Sequence, residues 1–175
     1  TLSANGKQGG TFIVAFLEDQ HKLTYREQIG KVPEPIEPLN PGENRAASRF
    51  VPYLKHQYLQ MLLAKANNEE SLSLQIEARI NRLTDALADL FEINGMRMQF
   101  NSKTYELKFV EPDGAAYNFS QLSAGLAAVL EILGELLVRI KDRDPEDAEG
   151  TMLIDEIDAH LHPRIQEKIL PFLTQ

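Results

Sequence analysis

Short β-rich apolar runs alternating with leucine and isoleucine stripes at helical spacing predict an α/β fold, a sheet with flanking helices. The first run is Thr11-Phe12-Ile13-Val14-Ala15-Phe16-Leu17-Glu18. A second, Thr151-Met152-Leu153-Ile154, stops at two adjacent carboxylates, Asp155 and Glu156. Between them, residues 45–93 carry the helical period over most of their length, which makes that stretch a helical insertion.

Taken in order, Asn5-Gly6-Lys7-Gln8-Gly9-Gly10 reads as a turn before a strand over 11–18. Pro33, Pro35, Pro38, Pro41 and Gly42 forbid regular structure over 31–44 and leave an extended loop or linker. From Arg45 to Ala66, Phe50, Leu54, Tyr58, Met61 and Leu62 recur at helical spacing, and Pro52 moves the true start to Val51 or later. Asn67-Asn68 breaks the pattern. A second helix follows, with Ile76, Ile80, Leu83, Leu87 and Leu90 stepping by four and three, the stripe of a buried hairpin arm. Asn94-Gly95 ends it. Met96–Phe100 and Thr104–Val110 then form two strands about an Asn101-Ser102-Lys103 turn, and Pro112-Asp113-Gly114 makes the next turn. A third helix runs from about Ser123 to Lys141, with Leu126, Leu130, Leu133, Leu137 and Ile140 on one face. Residues 142–150 form an acidic surface loop. The strand 151–155 is expected to be buried, and Pro163 opens a last helix carrying Ile165, Ile169 and Leu173.

At 175 residues the chain suffices for a single domain with a real core. Its 26 acidic against 18 basic residues give a net charge of −8, which argues against a surface devoted to nucleic acid. A local basic strip of Arg45, Arg49, Lys55 and Lys65 on the first helix keeps DNA in view as a partner, although a solvated helix face is the favoured explanation of those residues. The absence of cysteine excludes a disulfide scaffold, a thiolate zinc site and a cysteine nucleophile. No apolar run is long enough to span a bilayer and no signal-peptide pattern opens the sequence, so a cytoplasmic, membrane-free setting is expected. Thr1 is not a natural start, which points to a fragment or excised domain.

Two motifs carry chemistry. Ligands of open α/β sheets collect at the carboxyl ends of strands, where Asp155 and Glu156 stand. Two neighbouring acids at such a tip suit a magnesium nucleotide, one serving the metal and the next activating water. The second motif, Ser120-Gln121-Leu122-Ser123-Ala124-Gly125, opens the third helix. Ser123 is a good N-cap, and small residues behind it leave first-turn N–H groups unobstructed, a ready site for phosphate. Each motif alone has a plainer explanation: a strand ending at the surface, and an ordinary capped helix.

Together, Leu-Ser-Ala-Gly at 122–125, Met-Leu-Ile-Asp-Glu at 152–156 and Asp-Ala-His-Leu-His-Pro at 158–163 resemble the C-terminal half of an ABC-type ATPase head. The nearer likeness is to the non-transporter branch: RecF-like and SMC-like ATPases, and the AAA proteins related to overcoming-lysogenization-defect nucleases. It is strong over Phe119–Leu173, weak over 45–118 and absent over 1–44. The resemblance implies a single, incomplete ATPase domain over 1–175 with a partial P-loop NTPase sheet, a helical hairpin inserted at 45–93, and a signature and Walker B subregion at 119–175. It implies ATP and Mg2+ as cofactors, with Asp155 holding magnesium and Glu156 polarising the attacking water. Ser123, Ala124 and Gly125 would form the signature motif that meets ATP on a partner head. Asp158 and Ala159 would be the D-loop at the interface of a homodimer. DNA repair, chromosome maintenance and phage defence are the processes it suggests.

The departures are definite. The phosphate-cradling Gly-x-x-x-x-Gly-Lys-Ser/Thr occurs nowhere in the sequence, and the switch histidine, expected on a strand after residue 175, is not among these residues. Ala124 and Leu126 stand where transporters usually show glycine and glutamine. On this reading the chain by itself hydrolyses ATP poorly. Two other functions compete: a metal-dependent hydrolase using Asp155, Asp158, His160 and His162, and a non-catalytic domain whose helical hairpin binds a partner.

Overall fold

The computed structural model describes residues 13–17, 30–35, 49–140, 150–155 and 161–173. Its elements are strand β1 (Ile13–Leu17), helices α1 (Phe50–Ala66) and α2 (Glu70–Phe91), strands β2 (Arg97–Asn101), β3 (Glu106–Val110) and β4 (Ala116–Asn118), helix α3 (Ala124–Ile140), strand β5 (Gly150–Ile154) and helix α4 (Pro163–Leu173). The α/β class expected from the alternating pattern holds. The strands sort into two sheets: a parallel pair, β1–β5, and an antiparallel meander, β2–β3–β4.

The core lies between the meander and the helices. Phe50, Val51 and Leu54 of α1, Leu87 of α2, Leu107 and Phe109 of β3, and Val129 and Leu130 of α3 are all at or below 1 % exposure. Period decides which residues go there. On β3, Leu107 and Phe109 alternate with half-buried Glu106, Lys108 and Val110, as a pleated strand with one face on the core requires. On α2, the predicted stripe delivers Ile76, Ile80, Leu87 and Leu90 to burial. Phe119 sits against both Phe109 (4.8 Å between ring centroids) and Phe50 (6.3 Å, edge-on), linking the meander to α1.

The hairpin of α1 and α2 stands on the meander through Tyr58. Its ring stacks on Phe100 at 5.3 Å and its hydroxyl donates to the Met98 carbonyl at 3.2 Å. Burial, helped by the carboxylate of Glu77, pushes the Tyr58 pKa up to about 12, so the phenol stays a donor at any ordinary pH.

Several boundaries move for local reasons. Helix α1 begins at Phe50, one turn with Pro52 inside it, where proline needs no N–H partner. Helix α2 stops at Phe91, before Asn94-Gly95, because Glu92 takes the left-handed conformation (φ 57°). The turn after β2 runs longer than predicted. The Asn101 carboxamide accepts from the Lys103 and Thr104 amides at 2.9 and 3.3 Å, and Tyr105 then takes φ 54°, so β3 starts at Glu106. Strand β4 went unpredicted: three residues carry too little pattern to reveal a strand. Residues 31–35 are irregular, as their prolines require, and the Gly30 amide donates to the Thr104 carbonyl at 2.9 Å. Gly95 (φ +80°) suits a position where a side chain would be strained, and a β-carbon there would also lie 3.2 Å from the Pro112 ring, which would have to give slightly.

One expectation is overturned. Strand β5 is not buried: Leu153 is 55 % exposed and Met152 and Ile154 are only half-buried. Parallel strands are normally covered on both faces. Here, among the described residues, β5 packs principally on β1 and it is β1 that meets α3, so β5 lacks a cover of its own.

Because Phe109 is fully buried between Phe119, Tyr117 and the helices, Phe109→Ala is expected to cost about 3–5 kcal/mol of stability. Chemical denaturation of the two proteins measures it, and a loss below about 1 kcal/mol would contradict this account of the core.

Candidate functional site

The parallel pair fixes where the strand-tip acids begin. The register runs from Ile13 opposite Gly150 to Leu17 opposite Ile154, so β1 and β5 end flush with one another. Asp155 follows in the turn directly after β5, and its side chain is exposed. It therefore stands at the carboxyl edge of a parallel pair, the position at which α/β sheets gather ligands. Glu156, Asp158, Ala159 and His160 lie outside the described residues.

The chain re-enters the fold at Leu161, and each residue of Leu-His-Pro has its own task there. Leu161 is buried at 6 % exposure within the main core. Next, His162 caps α4: its carbonyl accepts from the Ile165 and Gln166 amides at 2.8 and 3.1 Å, and its Nδ1 accepts a long 3.4 Å bond from the Arg164 amide. Pro163 fills the first helical position, where its missing N–H costs nothing. The Gln166 carboxamide donates back to the Leu161 carbonyl at 3.1 Å, closing the turn. His162 thus has a structural job, and among the described residues no three His, Asp or Glu side chains gather as a metal would need.

The start of α3 is built in two steps. Asn118 and Gln121 form a reciprocal capping box: the Asn118 side chain accepts from the Ser120 amide at 3.1 Å, and the Gln121 side chain accepts from the Asn118 amide at 3.0 Å. This fixes a single 3₁₀ turn, Phe119–Gln121, with Phe119 plugged into the core. Ser123 then caps α3 as its sequence predicts, its Oγ accepting from the Leu126 amide at 3.3 Å. The amides of Ala124 and Gly125 precede any carbonyl four residues back and so have no partner within the helix. Ala124 is exposed and Gly125 half-buried, so an anion can reach them. The predicted stripe anchors this helix, with Leu126, Leu130 and Leu133 buried and Leu137 partly so. The small, open α3 start and the exposed Asp155 fit a magnesium–phosphate group in donor chemistry: bare N–H groups for phosphate, a hard carboxylate for the cation.

The basic strip weighed as an alternative on α1 is not seen among its described members, Arg45 lying outside the described residues. Lys55 is 4 % exposed, Arg49 is half-buried, and of the described members only Lys65 is exposed.

A cluster that sequence reading missed joins α2 to α4. The Glu92 carboxylate accepts from Lys168 Nζ at 2.7 Å through Oε1 and from Arg164 Nη1 at 3.3 Å through Oε2. Lys168, by hydrogen bond and charge, then Arg164, hold the Glu92 carboxyl below its usual value of 4.5. The available signal was Arg164 and Lys168 four residues apart on one helix face; the assignment of the helix end to Asn94-Gly95 concealed Glu92.

A family model described as "AAA domain, putative AbiEii toxin, Type IV TA system" matches residues 17–175. The chain belongs to this AAA-domain family. The AAA domain is similar to the Retron Ec83 probable ATPase of Escherichia coli, 34 % identical over 71 residues, 38 % of this chain and 13 % of that protein. It is also similar to two proteins named Septu protein PtuA. That of Bacillus mycoides (strain KBAB4) is 31 % identical over 126 residues, 69 % of this chain and 16 % of that protein. That of Bacillus thuringiensis is 33 % identical over 92 residues, 47 % of this chain and 23 % of that protein. The AAA domain thus matches less than a quarter of the length of these relatives. Among its described residues no helix is long and apolar enough to cross a membrane.

Glu92 titrates in a definite direction. Its folded pKa is depressed, so its contribution to stability is present above 4.5 and is lost as pH falls through the lowered value. Melting temperatures of the wild type and Glu92→Gln are expected to differ at about pH 7 and converge towards about pH 3. A difference that stays constant or grows on acidification would show that the carboxylate is not held by these cations.

Proposed function

We propose that this AAA domain binds and hydrolyses ATP, and that it works by nucleotide-dependent pairing with the same domain of a second chain. The observation that carries the reading is the flush parallel ending of β1 and β5 with Asp155 exposed directly beyond it. That arrangement supports Asp155 as the carboxylate for Mg2+. Glu156, the next residue, polarises the water that attacks the γ-phosphorus and takes up its proton as ADP departs. Magnesium, when bound, neutralises charge developing on the phosphate oxygens. The capped, open start of α3 supports Ser123, Ala124 and Gly125 as the group that meets the γ-phosphate on the partner domain, with Asp158 and Ala159 at the interface.

The family described as a toxin of a Type IV toxin–antitoxin system, and the relative named a probable ATPase, support the class of activity. Of DNA repair, chromosome maintenance and phage defence, the toxin–antitoxin description favours defence. The Gly-x-x-x-x-Gly-Lys-Ser/Thr motif does not occur in this sequence and the relatives are much longer than the matched stretch, so the proposal is made for the full-length protein.

In that protein, Glu156→Gln is expected to lower ATP turnover by about 10²–10⁴-fold while ATP binding persists, because the metal carboxylate remains. Steady-state hydrolysis paired with equilibrium nucleotide binding tests it. Turnover unchanged in this variant overturns the catalytic assignment. Ser123→Arg is expected to abolish ATP-dependent dimerisation, read by light scattering, and ATP-dependent dimers of that variant would remove Ser123 from the interface.

A further inference from the structure

We propose that Asn94 is a self-modifying site: in the folded protein it cyclises onto the Gly95 nitrogen and converts to aspartate and isoaspartate. The site is independent of the ATPase reading and lies in the turn that joins α2 to β2.

Three observations carry it. First, asparagine is followed by glycine at 5–6 and at 94–95, and the earlier pair lies outside the described residues. Glycine matters there because it sets no β-carbon beside the nitrogen that must attack. Second, residues 93–96 make a turn closed by one bond, the Met96 amide donating to the Ile93 carbonyl at 3.1 Å, with Gly95 at φ +80°. Asn94 and Gly95 are both exposed and belong to neither helix nor strand. Third, among the described residues the Asn94 carboxamide and the Gly95 amide have no hydrogen-bond partner. Rotating the Asn94 backbone to bring its side chain onto that nitrogen therefore breaks a single turn bond, and exposed turns open locally at little cost. Asn101 and Asn118 differ. The Asn101 side chain accepts from the Lys103 and Thr104 amides and is followed by Ser102, while that of Asn118 accepts from the Ser120 amide and is followed by the buried Phe119.

The step needs water and no other reactant. The Gly95 nitrogen, having given its proton to solvent, attacks Asn94 Cγ and an N–C bond forms. The Cγ–Nδ2 bond breaks, and the side-chain nitrogen leaves as ammonia with a proton from water. Water then opens the cyclic imide. Cleavage of the nitrogen from Cγ gives aspartate, whereas cleavage from the main-chain carbonyl carbon gives isoaspartate, whose backbone runs through Cβ and Cγ. The isoaspartyl turn is longer by a methylene between fixed ends: the Ile93 amide is tied to the Ala88 carbonyl at 2.9 Å, and Met96 is buried. Either product adds a carboxylate two residues from Glu92, in a chain whose net charge is already −8.

The test ages the folded, full-length protein at mildly alkaline pH beside a free peptide of residues 91–97 and maps aspartate and isoaspartate by mass spectrometry of the digested chain. Conversion at 94 is expected to run within about tenfold of the peptide's rate, a margin equal to about 1.4 kcal/mol in the barrier. It is expected to exceed conversion at 101 and at 118 by at least about tenfold. The rate is expected to rise with pH, because the attacking nitrogen is the deprotonated amide. In Asn94→Gln, whose longer side chain must close a larger ring, the peptide spanning 94 is expected to stay unmodified. A folded-state rate more than about tenfold below the peptide's would show that the turn protects Asn94, and it overturns the proposal. Conversion at 101 or 118 to the same extent as at 94 overturns it as well, since the turn then confers nothing.

Discussion

Parallel pairing of β1 with β5 is the constraint on which the arrangement depends. Two parallel neighbours cannot be joined by a tight turn; the chain must leave one strand's end and return to the other's beginning. Here the returning path contains both hairpin helices, the whole meander and α3. Those elements must therefore pack into a body that hands the chain back in register, opposite Ile13 at Gly150. Helix α3 performs the last step, since it packs against α1 on one side and β1 on the other. Its apolar face is consequently wide, with Ala128, Val129 and Ile132 buried as well as the leucine stripe.

Aromatic contacts knit the body that the crossover encloses. Phe109 touches Tyr117 and Phe119, Phe119 touches Phe50, and Phe100 stacks on Tyr58 and meets Tyr105 at a tilt, so the meander is bound to α1 at both ends. The polar devices sit at the borders of these elements rather than inside them. Asn118 and Gln121, Ser123, His162 and Asp113 each satisfy backbone N–H groups at a turn or helix start. In consequence the two motifs proposed to carry chemistry begin at well-anchored points, Ser123 behind a plugged Phe119 and Asp155 behind a paired strand.

Helical period and turn chemistry made most of this legible in the sequence. The α2 stripe, the α3 stripe, Ser123 as a cap, Pro163 as a helix opener and Pro112-Asp113-Gly114 as a turn are local signals, and local signals survive folding. What was hidden is non-local or depends on backbone state. Nothing adjacent to Glu92 says that it takes φ 57° or that its partners lie at 164 and 168, because that contact exists only once α4 is packed on α2. Lys55 looked like a surface charge because lysine usually is one, yet it is 4 % exposed once the fold is assembled. The burial expected for β5 was inferred from its apolar run, and such a run registers a strand's affinity for cover without supplying the cover.

The exposure of β5 also separates stability from chemistry. The main apolar cluster draws on α1, α2, β3, α3, Leu161 and α4, and none of its described members belongs to β5. Asp155 lies just beyond that strand and is itself exposed. Among the described residues, the strand's tip is held through its pairing with β1. The placement of Asp155 therefore follows from that strand pairing and not from direct contact of the strand with the main apolar cluster.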